Sequence, residues 1–215
     1  GRPIHTRYWK GVSDMKLDRF YPIFDSADWI ARLVPLGIKL VQLRIKDANP
    51  DMIRDHVRRS KSVCADHDCM LVINDHWQIA VNEGCHSVHL GQEDLDDADI
   101  AAIRLAGLRL GVSTHDKAEL ARAKSLNPDY IALGPIYPTI LKKMKWHEQG
   151  TAKLTTWRQL IGNTPLVAIG GMRIDRAQGA VDAGADVVAA VTDITLHERP
   201  EAVAYTHLTL PENLR

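Results

Sequence analysis

Short apolar runs alternate along the chain with longer segments that have the spacing of amphipathic helices. Runs rich in Val, Ile and aromatic residues predict strands, and apolar positions three and four residues apart predict helices. The predicted strands are Phe20–Phe24, Leu40–Arg44, Met70–Asn74, Ser87–Leu90, Arg109–Ser113, Tyr130–Gly134, Pro165–Ile169 and Asp186–Val191. The predicted helices are Ala27–Leu36, Pro50–Asp66, His76–Asn82, Asp96–Leu105, Asp116–Leu126, Thr155–Ile161, Ile174–Ala183 and one that starts near Pro200.

This alternation predicts a single-domain α/β protein, a (β/α)8 TIM barrel, because helical crossovers force neighbouring strands to pair in parallel. An open doubly wound sheet is the alternative. No G-x-G-x-x-G fingerprint follows the first strand, which weakens the dinucleotide-binding form of that alternative. We expect an N-terminal extension at residues 1–19, the barrel at 20–204 and a C-terminal tail of uncertain origin at 205–215.

Composition narrows the expected partners. The chain has 27 Lys plus Arg against 27 Asp plus Glu and a pI near 7.3, so no bulk charge attracts nucleic acid, and an anionic ligand needs a local cluster of cations. No apolar run is long enough to span a membrane, and the first twenty residues have no signal-peptide core. Three cysteines fit a reducing compartment, so we expect a cytoplasmic protein with small-molecule partners, and a homodimer is compatible with the sequence.

The second strand carries the first candidate site. Its two sides differ in polarity, with Gln42, Arg44 and Lys46 on one and Val41, Leu43 and Ile45 on the other. A solvated edge strand would also show this alternation. Strands of a parallel barrel are usually apolar on both faces, so inward-facing cations predict instead a pocket for phosphate oxygens.

Two acidic residues follow the third and fourth strands. Asp75 and Asp94 lie where the carboxyl ends of barrel strands are expected, close to the cations of the second strand. Mg2+ is typically held by one or two carboxylates together with water and substrate phosphates, so the pair predicts a magnesium site. The alternative is that each Asp caps the helix that follows it.

The later loops suggest a second anion site and a lid. The glycine pair Gly170–Gly171 directly follows the seventh strand, where backbone N–H groups bind phosphate in many barrels. The aperiodic segment Pro135–Lys153 is long enough to serve as a lid over the catalytic face.

His115 could act as a base, although a single loop histidine is more often solvated or a capping residue. Cys85, His86 and His89 alternate in facing along the fourth strand and therefore predict no local zinc site.

The candidate cations, carboxylates and glycines lie in a set of motifs, and this set resembles the motifs of the thiamine-phosphate synthase family. The motifs are Gln42–Asp47 (QLRIKD), Ile73–Asp75 (IND), Val88–Asp94 (VHLGQED), Leu110–His115 (LGVSTH), Leu133–Thr139 (LGPIYPT) and Ile169–Gly171 (IGG). They run in family order from about Phe20 to Thr195, and the set is far more specific than any one motif. The resemblance implies a (β/α)8 barrel that condenses hydroxymethylpyrimidine diphosphate with hydroxyethylthiazole phosphate, with Mg2+ as cofactor, to give thiamine phosphate and diphosphate.

The resemblance also implies roles for individual residues. The pyrimidine diphosphate would contact Gln42, Arg44, Lys46, Asn74, Ser113 and Lys142. The ligands of Mg2+ would be Asp75 and Asp94, and the thiazole phosphate would contact Thr139, the backbone of Gly171, and Val191 and Thr192. In the family's dissociative route diphosphate leaves first, so Arg44, Lys46 and Lys142 are the expected catalytic residues. The thiazole nitrogen has no proton to lose, and no general base is needed.

Three departures from the family pattern leave alternatives open. Leu141 replaces a hydroxyl that usually contacts the thiazole phosphate; a hydrogen bond to a charged group contributes about 1.5 to 3 kcal/mol, so weaker binding is expected. Asp193 stands where a small residue is usual and would repel a phosphate, and the last residues from about Tyr205 do not resemble the family's final helix. The alternatives are a thiazole tautomerase-like relative and a non-catalytic phosphate-ligand-binding paralogue. The complete segment Gly91–Asp94, together with Lys142, favours the synthase.

Overall fold

The computed structural model describes residues 17–139 and 146–209, apart from the side chain of Thr192. Eight parallel strands close into a barrel, and each strand pairs with its neighbours in sequence. The strands are β1 Phe20–Phe24, β2 Leu40–Leu43, β3 Met70–Asn74, β4 Ser87–Leu90, β5 Arg109–Thr114, β6 Tyr130–Leu133, β7 Leu166–Ala168 and β8 Val187–Ala190. Closure is made by β1 and β8, with Phe20 opposite Val188. The predicted (β/α)8 barrel is therefore confirmed.

Helices cover the outside of the barrel. They are α1 Ala27–Leu33, α2 Pro50–Asp66, α3 Trp77–Asn82, α4 Gln92–Asp97, α5 Ile100–Leu105, α6 Lys117–Ser125, α7 Thr151–Ile161, α8 Ile174–Asp182, α9 Thr192–Thr195 and α10 Pro200–Thr209. A 3-10 turn, Val34–Leu36, extends α1. Within the described ranges, no helix combines the length and the apolar character needed to cross a membrane.

The predicted helix Asp96–Leu105 is wrong at its start, since the structure has two helices there. Ala98 is extended between them, and the Asp99 side chain accepts a hydrogen bond from the Ala102 N–H at 2.9 Å, which caps α5. Helix α7 begins at Thr151, four residues before the predicted start, directly after Gly150 at a φ of 75°. Helix α10 runs across the predicted boundary at residue 205 and ends at Thr209.

Successive residues of each strand point alternately into the barrel and outward to the helices, and both sides are apolar. Side chains such as Tyr21, Ile23, Leu40 and Val72 fill the barrel interior. The alternate positions of the same strands pack outward against the helices, among them Val41. Because the interior layer is narrow, any polar side chain that points inward must find its partners across the barrel.

Candidate active site

The sequence-predicted site residues that the structure describes lie at one end of the barrel. They are Gln42, Arg44, Lys46, Asn74, Asp75, Asp94, Ser113, Thr139, Gly171, Val191 and Thr192, and all of them are near or just beyond the carboxyl ends of strands β2 to β8. The carboxyl end of the strands is the catalytic face of barrel enzymes, where loops can vary without disturbing the core. Lys142 and Leu141 lie outside the described residues.

Two buried amides connect β2 with β3. Gln42 is 2% exposed and Asn74 is 7% exposed, and the Asn74 Nδ2 donates to the Gln42 Oε1 at 3.0 Å. The pairing follows from the register, which places Gln42 beside Val72 and Leu43 beside Ile73. Gln42 therefore points into the barrel, as the alternation of β2 predicts.

Arg44 and Lys46 follow β2 as the chain leaves the barrel. The Arg44 N–H still donates to the Phe24 carbonyl at 2.8 Å, which holds this segment against β1, and Arg44 is half-buried while Lys46 is exposed. Neither side chain forms a hydrogen bond or an ion pair within the ranges that the structure describes. Two cations at the catalytic face that are not engaged in ion pairs with the described residues can bind a phosphorylated ligand.

Asp75 and Asp94 lie in contact with each other, and neither caps a helix as an N-cap residue. Helix α3 begins after His76, and Asp94 is the third residue of α4, where its Oδ2 accepts the Gly91 N–H at 2.9 Å. Asp75 has a φ of 65°, a left-handed conformation that Asp tolerates better than most residues, and its N–H donates to the His89 carbonyl at 2.9 Å.

The electrostatics of this carboxylate pair fit a divalent cation. Burial, and then the neighbouring charge of Asp94, raise the pKa of Asp75 above its ordinary value, while Lys46 and His76 oppose the shift. Within the described part of the chain no three His, Cys, Asp or Glu side chains surround a common point. Two adjoining carboxylates suit Mg2+, which takes its other ligands from water and phosphate.

A chain of hydrogen bonds crosses the barrel interior between these amides and Ser113. The Gln42 Nε2 donates to the Tyr21 hydroxyl at 2.9 Å, and that hydroxyl lies 2.9 Å from the Tyr130 hydroxyl. The Tyr130 hydroxyl lies 2.6 Å from His89 Nδ1, and His89 Nε2 lies 2.6 Å from Ser113 Oγ. The chain links three of the predicted pyrimidine contacts through three side chains that the sequence interpretation did not assign to the site.

Burial keeps the members of this chain uncharged. Burial lowers the pKa of His89 to about 4, with smaller contributions from Arg44 and Lys46 and an opposing one from Asp94. Burial also raises the pKa of Tyr21 and of Tyr130 above the ordinary value. This hydrogen-bond chain therefore consists of neutral groups at physiological pH. The number of hydrogens that each group carries then determines which atom donates in each bond.

The loops after β6 and β7 meet at the second predicted anion site. Gly171 has a φ of 61°, and a Cβ atom there would lie 2.3 Å from the Pro138 carbonyl oxygen. Glycine is therefore required where these loops touch, one residue from Thr139, which is half-buried. Val191 and Thr192 lie at the junction of β8 and α9, with Val191 exposed.

Asp193 has a partner within the fold. Its Oδ2 lies 2.8 Å from the Nε2 of His207 on α10, whose side chain is 3% exposed. The His207 ring also stacks on Phe20 at the start of β1, with ring centroids 4.6 Å apart. Two departures from the family pattern, Asp193 and the divergent final helix, thus contact each other.

His115 is paired and stacked. Its Nδ1 lies 2.7 Å from the Glu119 Oε1, and its ring stacks on Trp146 at a centroid distance of 5.2 Å. The Gln149 Nε2 donates to the His115 carbonyl at 2.9 Å, so the described end of the predicted lid is joined to the loop after β5. The middle of that segment lies outside the described residues.

Sequence interpretation missed His89, Tyr130 and Tyr21 as members of the site. In the sequence, His89 stands out only as a possible zinc ligand and as part of the motif Val88–Asp94, and the two tyrosines stand out only as strand residues. The available signal was period two, since Ser87 and His89 alternate with the apolar Val88 and Leu90 in a strand expected to be covered on both faces. Their partners could not be predicted because cross-barrel contacts depend on the stagger of the strands.

Comparisons with known proteins agree with one another. Residues 16–194 match the family described as thiamine monophosphate synthase. The thiamine-phosphate synthase of Rhizobium etli is 58% identical over 188 residues, which cover 87% of this chain and 92% of the relative. That of Neisseria meningitidis serogroup B is 45% identical over 185 residues, covering 86% and 90%. A solved structure of thiamine phosphate pyrophosphorylase from Pyrococcus furiosus shares the fold, with a TM-score of 0.77 at 22% identity over 92% of this chain and 93% of that one.

A parallel barrel whose carboxyl-end face gathers cations, a carboxylate pair and a glycine-lined loop junction is typical of barrel enzymes that act on phosphorylated substrates. The extent and identity of the sequence match make the assignment specific. The chain belongs to the thiamine-phosphate synthase family. It is accordingly an enzyme of thiamine biosynthesis, a transferase, as the resemblance of its motifs implies.

Proposed function

We propose that the enzyme joins hydroxymethylpyrimidine diphosphate to hydroxyethylthiazole phosphate by a dissociative route assisted by Mg2+. The C–O bond between the pyrimidine methylene and the diphosphate breaks first. The thiazole nitrogen then supplies its lone pair to the methylene cation, and the products are thiamine phosphate and diphosphate. The nitrogen carries no proton, so the step needs no general base. The pairing of His115 with Glu119 is compatible with that chemistry.

Stabilising the negative charge that develops on the departing diphosphate is the main requirement of this route. Arg44 offers a planar fork of donors and Lys46 a compact charge, and both are free of internal ion pairs within the described ranges. Lys142 is proposed as a third cation. Fixed charges in a site that excludes water stabilise such a state more than the same charges would in solvent.

Asp75 and Asp94 are the residues proposed to hold Mg2+. When bound, the ion would supply positive charge to the diphosphate oxygens and neutralise the repulsion between the two carboxylates. The capping bond from the Gly91 N–H fixes the orientation of the Asp94 carboxylate beside Asp75.

The proposal gives the two substrates separate surfaces of the same face. Gln42, Asn74 and Ser113 would bind the pyrimidine with neutral polar groups. Thr139, the backbone of Gly171, Val191 and Thr192 would hold the thiazole phosphate, with N–H groups as donors. A cytoplasmic location is proposed as well, in keeping with three cysteines that are all free.

The observation that carries this proposal is the position of Arg44 and Lys46, two cations that form no ion pair within the described ranges, beside a carboxylate pair whose charges repel. An enzyme that bound only a monophosphate would have less need for both features. A diphosphate would neutralise the two cations, and its magnesium ion would neutralise the two carboxylates.

The direct experiment incubates purified protein with both substrates and Mg2+ and follows the products by liquid chromatography. We expect thiamine phosphate and diphosphate in equal amounts, and neither product when either substrate is omitted or when the metal is chelated. Isomerisation of a thiazole phosphate without condensation would indicate a tautomerase-like relative. Binding of one phosphorylated compound without diphosphate release would indicate a non-catalytic paralogue.

A further inference from the structure

We propose that His89, Tyr130 and Tyr21 are positioning residues that aim the hydroxyl hydrogen of Ser113 at the ligand, so that the site selects a pyrimidine edge presenting a hydrogen-bond acceptor at that point. The inference rests on the proposed function, because it takes the pyrimidine diphosphate as the ligand next to Ser113. It adds residues that contact no substrate themselves and act through the hydrogen-bond chain described above.

The direction of the chain follows from counting protons. Gln42 donates to the Tyr21 hydroxyl, so the single hydroxyl hydrogen of Tyr21 is left to donate to the Tyr130 hydroxyl. Tyr130 must then donate its own hydrogen to His89 Nδ1. A neutral imidazole that accepts at Nδ1 carries its hydrogen at Nε2, and this hydrogen is donated to Ser113 Oγ.

Ser113 is the last side chain of this hydrogen-bond chain. It is half-buried, whereas the other five side chains of the hydrogen-bond chain are buried. Its Oγ accepts from His89, so its own hydrogen is directed away from the protein interior toward a ligand. The Ser113 carbonyl accepts from the Gln92 Nε2 at 2.8 Å, which further fixes the backbone here. The site thus presents a donor whose direction is set by groups up to five side chains away.

Burial makes this direction costly to reverse. Tyr21 and His89 are 1% and 5% exposed, and in the opposite direction the Tyr21 hydrogen would need an acceptor, which would require the Gln42 and Asn74 amides to turn over together. The Asn74 donation to Gln42 Oε1 therefore sets the direction at the far end of the chain. With the two amides oriented as observed, the opposite direction would leave the buried Tyr21 hydroxyl hydrogen without an acceptor, and burying an unpaired donor is unfavourable.

The direction of the Ser113 hydrogen determines which edge of the pyrimidine can pair with it. The pyrimidine of thiamine has a ring nitrogen, an acceptor, beside an exocyclic amino group. In the 4-oxo analogue that nitrogen carries a hydrogen, and a donor would then face the Ser113 hydrogen. A site built to pair with a specific polar edge rejects an analogue that leaves its groups unpaired.

The first measurement is the tautomer of His89 in the ligand-free protein, read from the 15N chemical shifts of its ring and assigned by comparison with His89→Gln. We expect the Nε2–H tautomer in the wild type and in Tyr21→Phe, where Tyr130 still donates to His89. Tyr130→Phe should lose this preference. Observation of the Nδ1–H tautomer in the wild type would overturn the proposal, whatever the activity of the enzyme.

The second measurement is the ratio of kcat/KM for the amino substrate to that for its 4-oxo analogue. We expect Tyr130→Phe to lower this ratio about tenfold, since Ser113 is then free to turn and accept. Tyr205→Phe, a matched change on an exposed tyrosine of α10, should leave it unchanged. An unaltered ratio in a folded Tyr130→Phe enzyme contradicts the positioning role, whereas absence of wild-type turnover contradicts the proposed function and leaves the tautomer result to judge this inference.

Discussion

His89 is a buried histidine that the folded protein keeps neutral, and this has a consequence for stability. Its pKa falls from 6.5 to about 4 because of burial. Between these two values the unfolded chain binds a proton at His89 that the folded chain does not, so the free energy of unfolding decreases as the pH falls. The stabilisation is complete above about pH 6.5 and is lost progressively toward pH 4.

We expect this one group to account for about 3 kcal/mol of the change in unfolding free energy across that range. Urea unfolding at several pH values gives the unfolding free energy of wild type and of His89→Gln. The contribution of His89 is the difference between the slopes of these two free energies against pH. The matched control is His67→Gln at an exposed histidine after α2, which should follow the wild type. Parallel pH profiles for wild type and His89→Gln would show that His89 is not held neutral in the fold.

At the scale of elements, the junction of the β6 and β7 loops depends on Gly171. Gly171→Ala would place a methyl group 2.3 Å from the Pro138 carbonyl oxygen, so the loops must separate. We expect the KM for the thiazole phosphate to rise at least tenfold while the KM for the pyrimidine diphosphate changes little. Steady-state kinetics with each substrate varied in turn measures both.

Gly162→Ala is the matched control for this change. Gly162 has the same φ of 61°, but no atom lies within 4 Å of the place where its Cβ would be. The control therefore reproduces the cost of a left-handed alanine without the collision between loops. If both variants raise the thiazole-phosphate KM equally, the loop junction does not form part of that site.

Helix α10 is joined to the carboxyl-end face by the Asp193–His207 pair. Asp193→Ala leaves His207 buried at 3% exposure without its partner, and we expect a loss of about 1 to 3 kcal/mol in unfolding free energy. Asp175→Ala, which removes an exposed ion pair with Arg173, should cost well under 1 kcal/mol. Equal stabilities of the two variants in chemical denaturation would contradict a structural role for the pair.

At the scale of the whole molecule, the alternation of strands and helices was enough to predict the barrel. Parallel strands are apolar on both faces, so β1, β3 and β4 were predicted with their observed ends. Helices shorter than about two turns carry too little periodicity to be recognised, which is why the break before Asp99 and the existence of α9 were missed.

The site was predictable only where a side chain's character contradicts its position in the strand. Arg44 and Lys46 stand out as cations on a strand expected to be apolar, and Asp75 as a carboxylate directly after one. The chain through His89 and Tyr130 depends on which residues of non-adjacent strands face each other, and this requires the stagger of the closed barrel.

The central claim is that the cations and carboxylates of the carboxyl-end face drive the departure of diphosphate. It is tested most directly by the single-turnover rate of diphosphate release in wild type, Lys46→Ala and Asp94→Asn, where Asn keeps an acceptor for the Gly91 N–H. We predict that both variants remain folded and release diphosphate slower by at least a hundredfold, while Lys124→Ala, at an exposed lysine in the last turn of α6, matches the wild type. Near-normal release in both site variants would contradict the account.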